Sequence, residues 1–258
     1  MAETRKSIAS ADLLRVFARS FLIQASWSFD RMQSLGFAYA LSPVLKRLYP
    51  DEGEYRSRLR LHMEYFNTQP YLASFILGAA ARMEEDRASG RAGQTEVTAL
   101  KNTLMGPLGA LGDSLFWAGL KPACALIAVS LLMAGIPWAP LLFLVLYNSG
   151  HVWLRAELLL WGYRSSGDVL SLINRYRLTG AARLLKAVSL VVVGALVGMM
   201  PLWRPEFRPA FLPAGAAAVV WLLLTAVLVV LLRRGGSPVK LMLGLAAGCI
   251  LLAYTGVV

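Results

Sequence analysis

Asn102–Pro122 reads NTLMGPLGALGDSLFWAGLKP, and how this stretch sits in a membrane decides the fold. It is apolar enough to enter a bilayer, yet it carries Gly106, Gly109, Gly112 and Gly119, with Pro107 near its start and Asp113 at its centre. Glycine weakens a helix interior, proline removes a backbone donor, and an intramembrane carboxylate costs about 2.5–3.5 kcal/mol on insertion scales. Irregular backbone at membrane depth is tolerated where protein buries it or a polar cavity wets it. The stretch therefore predicts a discontinuous segment that lines something polar.

The composition around it supports a membrane setting. Of 258 residues, 57% are hydrophobic and only 16% charged, below the roughly 25% charged of an ordinary soluble domain. The net charge of +11 suits a positive-inside bias better than nucleic-acid binding, because the arginines sit in short links between apolar runs. The expectation is an all-α integral membrane protein without a nucleic-acid partner. Cys124 and Cys249 lie in apolar runs without ligand spacing and read as buried, space-filling thiols. The polar start, MAETRKSIASADLL, has no signal-peptide core.

Upstream, Ser10 or Asp12 is positioned to cap an amphipathic helix, with Leu13, Phe17 and Phe21 on one face and Arg15 and Arg19 on the other. Such a helix lies on lipid or packs on a partner. Tyr71–Ala81 is apolar but only about half the ~20 residues a span needs. It predicts a short re-entrant helix with Pro70 in its first turn and Thr68 or a neighbour as cap. Downstream, Ala123–Ile136 and Pro140–Val152 predict a pair of short or tilted helices. Ala187–Leu202, Phe211–Leu232 and Val239–Val258 predict about three conventional transmembrane helices. The chain thus divides into an amphipathic arm over 1–62, a core of re-entrant and broken helices over 63–165, and a cytoplasmic link with transmembrane helices over 166–258. Arg164, Arg175, Arg177 and Arg183 in one link, and Arg233, Arg234 and Lys240 in another, place both links in the cytoplasm. The N-terminus is then cytoplasmic and the C-terminus outside.

The candidate substrate-binding residues are Glu64, Asn67, Gln69, Asp113, Trp117 and Asn148. Amides and a lone carboxylate offer the paired donors and acceptors that sugar hydroxyls require, and an aromatic ring stacks on a sugar's C–H face. An amide at a helix mouth also caps the helix, and Thr68 is read first in that role. No GxSxG, HExxH, P-loop or strand-linked GxGxxG is present, so neither catalysis, a metal nor a cofactor is expected. Arg155 and Glu157, two residues apart, do not share a helix face, whereas His151 and Arg155 do.

Four stretches occur in order: SWSFDRMQSLGFAYALSPVLKRLYP (26–50), HMEYFNTQPYLASFILGAAARMEED (62–86), LKNTLMGPLGALGDSLFW (100–117) and PLLFLVLYNSGHVWLRAELLLWGYRS (140–165). Together they resemble the IID membrane subunit of the mannose/fructose/sorbose family of the bacterial phosphoenolpyruvate:sugar phosphotransferase system. The resemblance implies a bacterial inner-membrane permease subunit that pairs with a IIC subunit in a trimer of heterodimers, within membrane lipid. It implies that cytoplasmic IIA and IIB domains phosphorylate the arriving hexose and that this subunit is not itself catalytic. EYFNTQP (64–70) and GALGDSLFW (109–117) carry the implied place near the sugar path. Ser114 stands where the family commonly has proline, Leu72–Phe75 replace a small-residue and proline run, and the segment between Trp203 and Phe211 is shorter than usual. A IID-like scaffold or sensor that does not move sugar is the alternative reading.

Overall fold

The computed structural model describes residues 7–91, 94–165, 177–203 and 213–254. The described residues form helices and no strand. In chain order they are α1 (Ser10–Ser20), α2 (Ser34–Leu48), α3 (Glu52–His62), α4 (Ala73–Ala88), α5 (Gln94–Gly112), α6 (Lys121–Met133), α7 (Ala139–Ser165), α8 (Leu178–Trp203), α9 (Ala214–Arg233) and α10 (Pro238–Tyr254). A π-helical segment, Asp113–Leu120, joins α5 to α6. The chain separates into two compact units, Met1–Ala187 and Val188–Val258.

The first unit is built on the crossing of α4 and α7. A Cβ on Gly78 would lie 2.1 Å from the Leu159 carbonyl oxygen, and one on Gly162 would lie 2.1 Å from that of Phe75. The two backbones therefore touch at reciprocal glycines, the close approach that small residues permit between apolar helices. Around this crossing Leu41, Leu45, Phe66, Phe75, Ile76, Leu108 and Leu158 form one buried cluster. Tyr163 donates from its hydroxyl to Glu85 Oε2 (2.6 Å), and Glu85 Oε1 accepts the Ile8 amide (2.8 Å), so α7, α4 and the arm are tied at one carboxylate.

Helix α1 buries Asp12, Val16 and Ser20, while Leu13 and Phe17 are only partly covered and Leu14, Phe21 and Leu22 are exposed. The expected apolar face is thus turned partly outward. The buried stripe runs one position off it because Asp12 is drawn in, accepting the Ala9 amide and pairing with Arg15 and Arg47. At the other end of α1, Arg155 of α7 donates to the Ser20 carbonyl, a cation placed at a helix C-terminus. As expected, Arg155 and His151 face one way, and both meet the Tyr71 ring.

Three sequence expectations are corrected. The Asn102–Pro122 stretch does not break: α5, the π-helical segment and α6 run on as one helix, and Pro107 sits within α5. Val97–Met133 is instead one of two described stretches long and apolar enough to cross a membrane, Leu178–Met199 being the other. Continuity survives because a proline costs a helix one hydrogen bond and because local π winding absorbs the irregularity. Second, Pro140–Val152 is not a short helix; it belongs to the 27-residue α7. The hairpin before it turns at Gly135, whose φ of +83° is open to glycine at little cost. Third, α8 starts before Ala187, since Leu178 and Ala182 are buried on its first turns beside the polar residues that delimited the apolar run. Val219–Arg233 and Pro238–Tyr254 are shorter apolar helices. Cys124 is buried as expected, but Cys249 is exposed on α10. Arg175 lies outside the described residues.

Candidate functional site

The loop between α3 and α4, Met63–Leu72, is held from two sides. From α2, the Gln33 amide clasps the Thr68 backbone: Nε2 donates to the Thr68 carbonyl (2.8 Å) and Oε1 accepts the Thr68 amide (3.2 Å). The Gln33 backbone N–H also donates to the Phe66 carbonyl (2.9 Å). From α5, the loop follows the helix towards Asp113. Thr98 Oγ1 donates to Glu64 Oε2 (3.5 Å), and Thr68 Oγ1 donates to the Met105 carbonyl (2.8 Å). Further along, a Cβ on Gly112 would lie 2.5 Å from Gln69 Cβ. Gly112 therefore serves close approach of the loop and does not break the helix.

This arrangement sets two of the six expected residues, Glu64 and Gln69, against α5. Glu64 and Asn67 are exposed on the loop, Gln69 is buried against Gly112, and the exposed Asp113 follows Gly112 directly. The exposed Trp117 lies further along the π-helical segment, with Lys121 Nζ 4.7 Å from its ring centroid. Asn148 is on α7. Its Nδ2 donates to the Leu144 carbonyl (2.7 Å) and its Oδ1 lies 2.9 Å from His151 Nε2. Gln69 Oε1 accepts the amides of Tyr71 (2.7 Å) and Leu72 (3.2 Å). Gln69 thus holds the turn that leads into α4, whose cap position is Leu72 without a side-chain bond, and Thr68, expected as the cap, bonds to α5 instead.

Tyr71 joins these parts. Its ring stacks on His151 (centroids 4.3 Å apart) and meets Phe116 of the π-helical segment edge-on at 4.7 Å. Its hydroxyl is 2.8 Å from that of Tyr147. Beneath the loop, Lys101 is buried with its Nζ 5.0 Å from the Phe37 ring centroid and 5.9 Å from that of Phe66. Gln33 and Lys101 escaped the sequence reading because their partners are far away in the chain. A glutamine at the start of a helix and a lysine in an apolar run were the only local signals.

Behind the loop, Glu84 is fully buried and receives Arg58 through Nε (3.1 Å) and Nη2, Tyr49 through its hydroxyl (2.7 Å), and His62 Nε2 (2.8 Å). Burial alone would raise its carboxyl, but the hydrogen bonds from His62 and Arg58, and the Arg58 charge, hold it down at about 2. Burial lowers His62 in turn, against the pull of Glu84. An ionised Glu84 neutralised by Arg58, with a neutral His62 donating from Nε2, satisfies both. The Tyr49 hydroxyl is raised by burial and by the carboxylate beside it.

The π-helical segment also meets α8. Lys186 Nζ donates to Ser114 Oγ (2.7 Å), and a Cβ on Gly119 would lie 3.3 Å from Leu185 Cβ.

Residues 7–202 match EIID-AGA, the PTS system mannose/fructose/sorbose family IID component. The chain belongs to this family. It is 38% identical to the mannose-specific EIID component of Escherichia coli K12 over 199 residues, 75% of this chain and 69% of that one. It is 35% identical to the sorbose-specific EIID component of Klebsiella pneumoniae, covering 75% and 71%, and 31% identical to the fructose permease IID component of Bacillus subtilis, covering 76% and 71%. Among solved structures it is similar to a chain of the mannose transporter ManYZ in complex with microcin E492, with 29% identity, 98% of each chain covered and a TM-score of 0.60. A second structure, described as a membrane protein, reaches a TM-score of 0.74 at 30% identity, covering 97% and 98%. The protein is a IID membrane component of a sugar phosphotransferase permease.

Proposed function

We propose that this chain pairs with a IIC membrane subunit, as a trimer of heterodimers, to translocate a hexose of the mannose/fructose/sorbose class that IIA and IIB domains phosphorylate. What supports this reading is the loop that carries Asn67, seated on α5 through Glu64 and Gln69 just before the exposed Asp113, within a chain 38% identical to a mannose-specific component. Asn67 and Asp113 are the residues to bind sugar hydroxyls, with Glu64 at the outer end of the run and Trp117 stacking on the C–H face. Gln69 is the buried member, its Nε2 without a hydrogen-bond partner and its oxygen committed to the turn before α4. Asn148 is the sixth member, reached through His151 and Tyr71. The N-terminus lies in the cytoplasm and the C-terminus outside, and phosphoryl transfer belongs to the partners.

Co-expression with the cognate IIC subunit and measurement of phosphoenolpyruvate-dependent uptake of labelled hexoses tests this reading. Uptake of at least one hexose is the expected result. A second reading is favoured by the amides already spent within the chain, at Gln69 and Asn148: a scaffold or sensor subunit. An intact complex that takes up no hexose would select it.

A further inference from the structure

The π-helical winding of Asp113–Leu120 needs a cause. Such winding is rare beyond a single turn and less stable than α-helix, so surrounding contacts must hold it. At its C-terminal end Pro122 supplies one, because it lacks the donor that the Ala118 carbonyl would take in an α-helix. At its N-terminal end no proline intervenes. Ser114 keeps its N–H, and Gly112 has helical dihedrals of −67° and −41° that would continue an α-helix. The contact present there comes from α8, where Lys186 Nζ donates to Ser114 Oγ at 2.7 Å and Leu185 packs on Gly119.

We propose that Lys186 is a positioning residue for the sugar path: bonded to Ser114, it latches the helix in its π-helical winding and so sets where Asp113 and Trp117 point. This rests on the sugar-path reading above. Closing a π-helical turn to α-helix shifts the register by one residue, about 100° of rotation. That rotation would carry Asp113 away from its place after the Gln69–Gly112 contact, or turn Phe116 off Tyr71. The serine–lysine bond does by attraction what a proline at 114 would do by deleting a donor and clashing with the preceding turn. A proline at 114 should therefore make Lys186 dispensable.

The test uses the assembled IIC–IID complex, comparing S114A, K186M, the S114A/K186M pair and S114P/K186M. It reads hydrogen exchange of peptides covering Asp113–Leu120 together with KM and maximal rate of hexose uptake. S114A and K186M are each expected to speed exchange about tenfold, the scale of a lost hydrogen bond to a charged group, and to raise KM with little change in maximal rate. The pair should match either single variant, and S114P/K186M should restore both readouts. Unchanged exchange in S114A and K186M overturns the latch, whatever uptake does. Faster exchange at unchanged KM overturns the positioning role. If Asp113→Asn and Asn67→Ala also leave KM unchanged, the sugar-path reading has failed; if they raise it, only the role of Lys186 has. S114A removes a single hydroxyl, so it remains informative where K186M impairs assembly.

Discussion

Glu84 is the residue on which the arm and the core depend. Removing it leaves Arg58 buried without a counter-ion, and breaking a buried pair in this way costs about 3–5 kcal/mol. Glu84→Ala should lower the thermal midpoint of the purified protein sharply, while Glu52→Ala, in an exposed pair, should leave it unchanged within error. The same cluster predicts a pH dependence. Glu84 and His62 both have folded pKa values below their unfolded ones, so the unfolded chain binds more protons and stability falls as pH falls. The His62 contribution is lost below about 6.5, where the unfolded imidazole takes a proton, and that of Glu84 between about 4.5 and 2. Thermal midpoints measured from pH 7.5 to 4.5 should therefore decline, and His62→Gln should flatten the upper part of that decline. A midpoint constant across the range would refute the assignment.

At the scale of elements, the crossing of α4 and α7 and the seat of the loop on α5 both depend on absent side chains. Gly162→Ala would drive a methyl into the Phe75 carbonyl, and overpacking of this kind costs about 1–3 kcal/mol or more. It should destabilise the protein more than Gly180→Ala, where nothing lies within 4 Å. Thermal unfolding of the two variants checks the order. These elements also mark where the sequence was legible. Helices, amphipathic arm and polar loop followed from local pattern. The glycines and proline of Asn102–Pro122 were misread as a break, since glycine lowers helix propensity whether or not a neighbour needs the room. Only Gln69, 43 positions before Gly112, reveals the reason. The pairing of Gly78 with α7 and of Gly162 with α4 is a fact of tertiary structure.

For the whole molecule, membership of the IID family and the membrane setting rest on stretches spread over 26–165, which is why they were legible early. Asn67 and Asp113 follow from residue type alone, and both are exposed. Gln33, Lys101 and Lys186 were not named, because each acts on a partner 35 to 72 positions away or on rings of another helix. The proposed sugar path rests on Asn67 and Asp113. Its most direct test is the KM for labelled hexose of Asp113→Asn and Asn67→Ala in the assembled complex. A KM raised about tenfold or more is expected for each, as where a sugar hydroxyl loses its partner, with assembly intact. A KM equal to that of the unaltered complex, or loss of the complex itself, would contradict it.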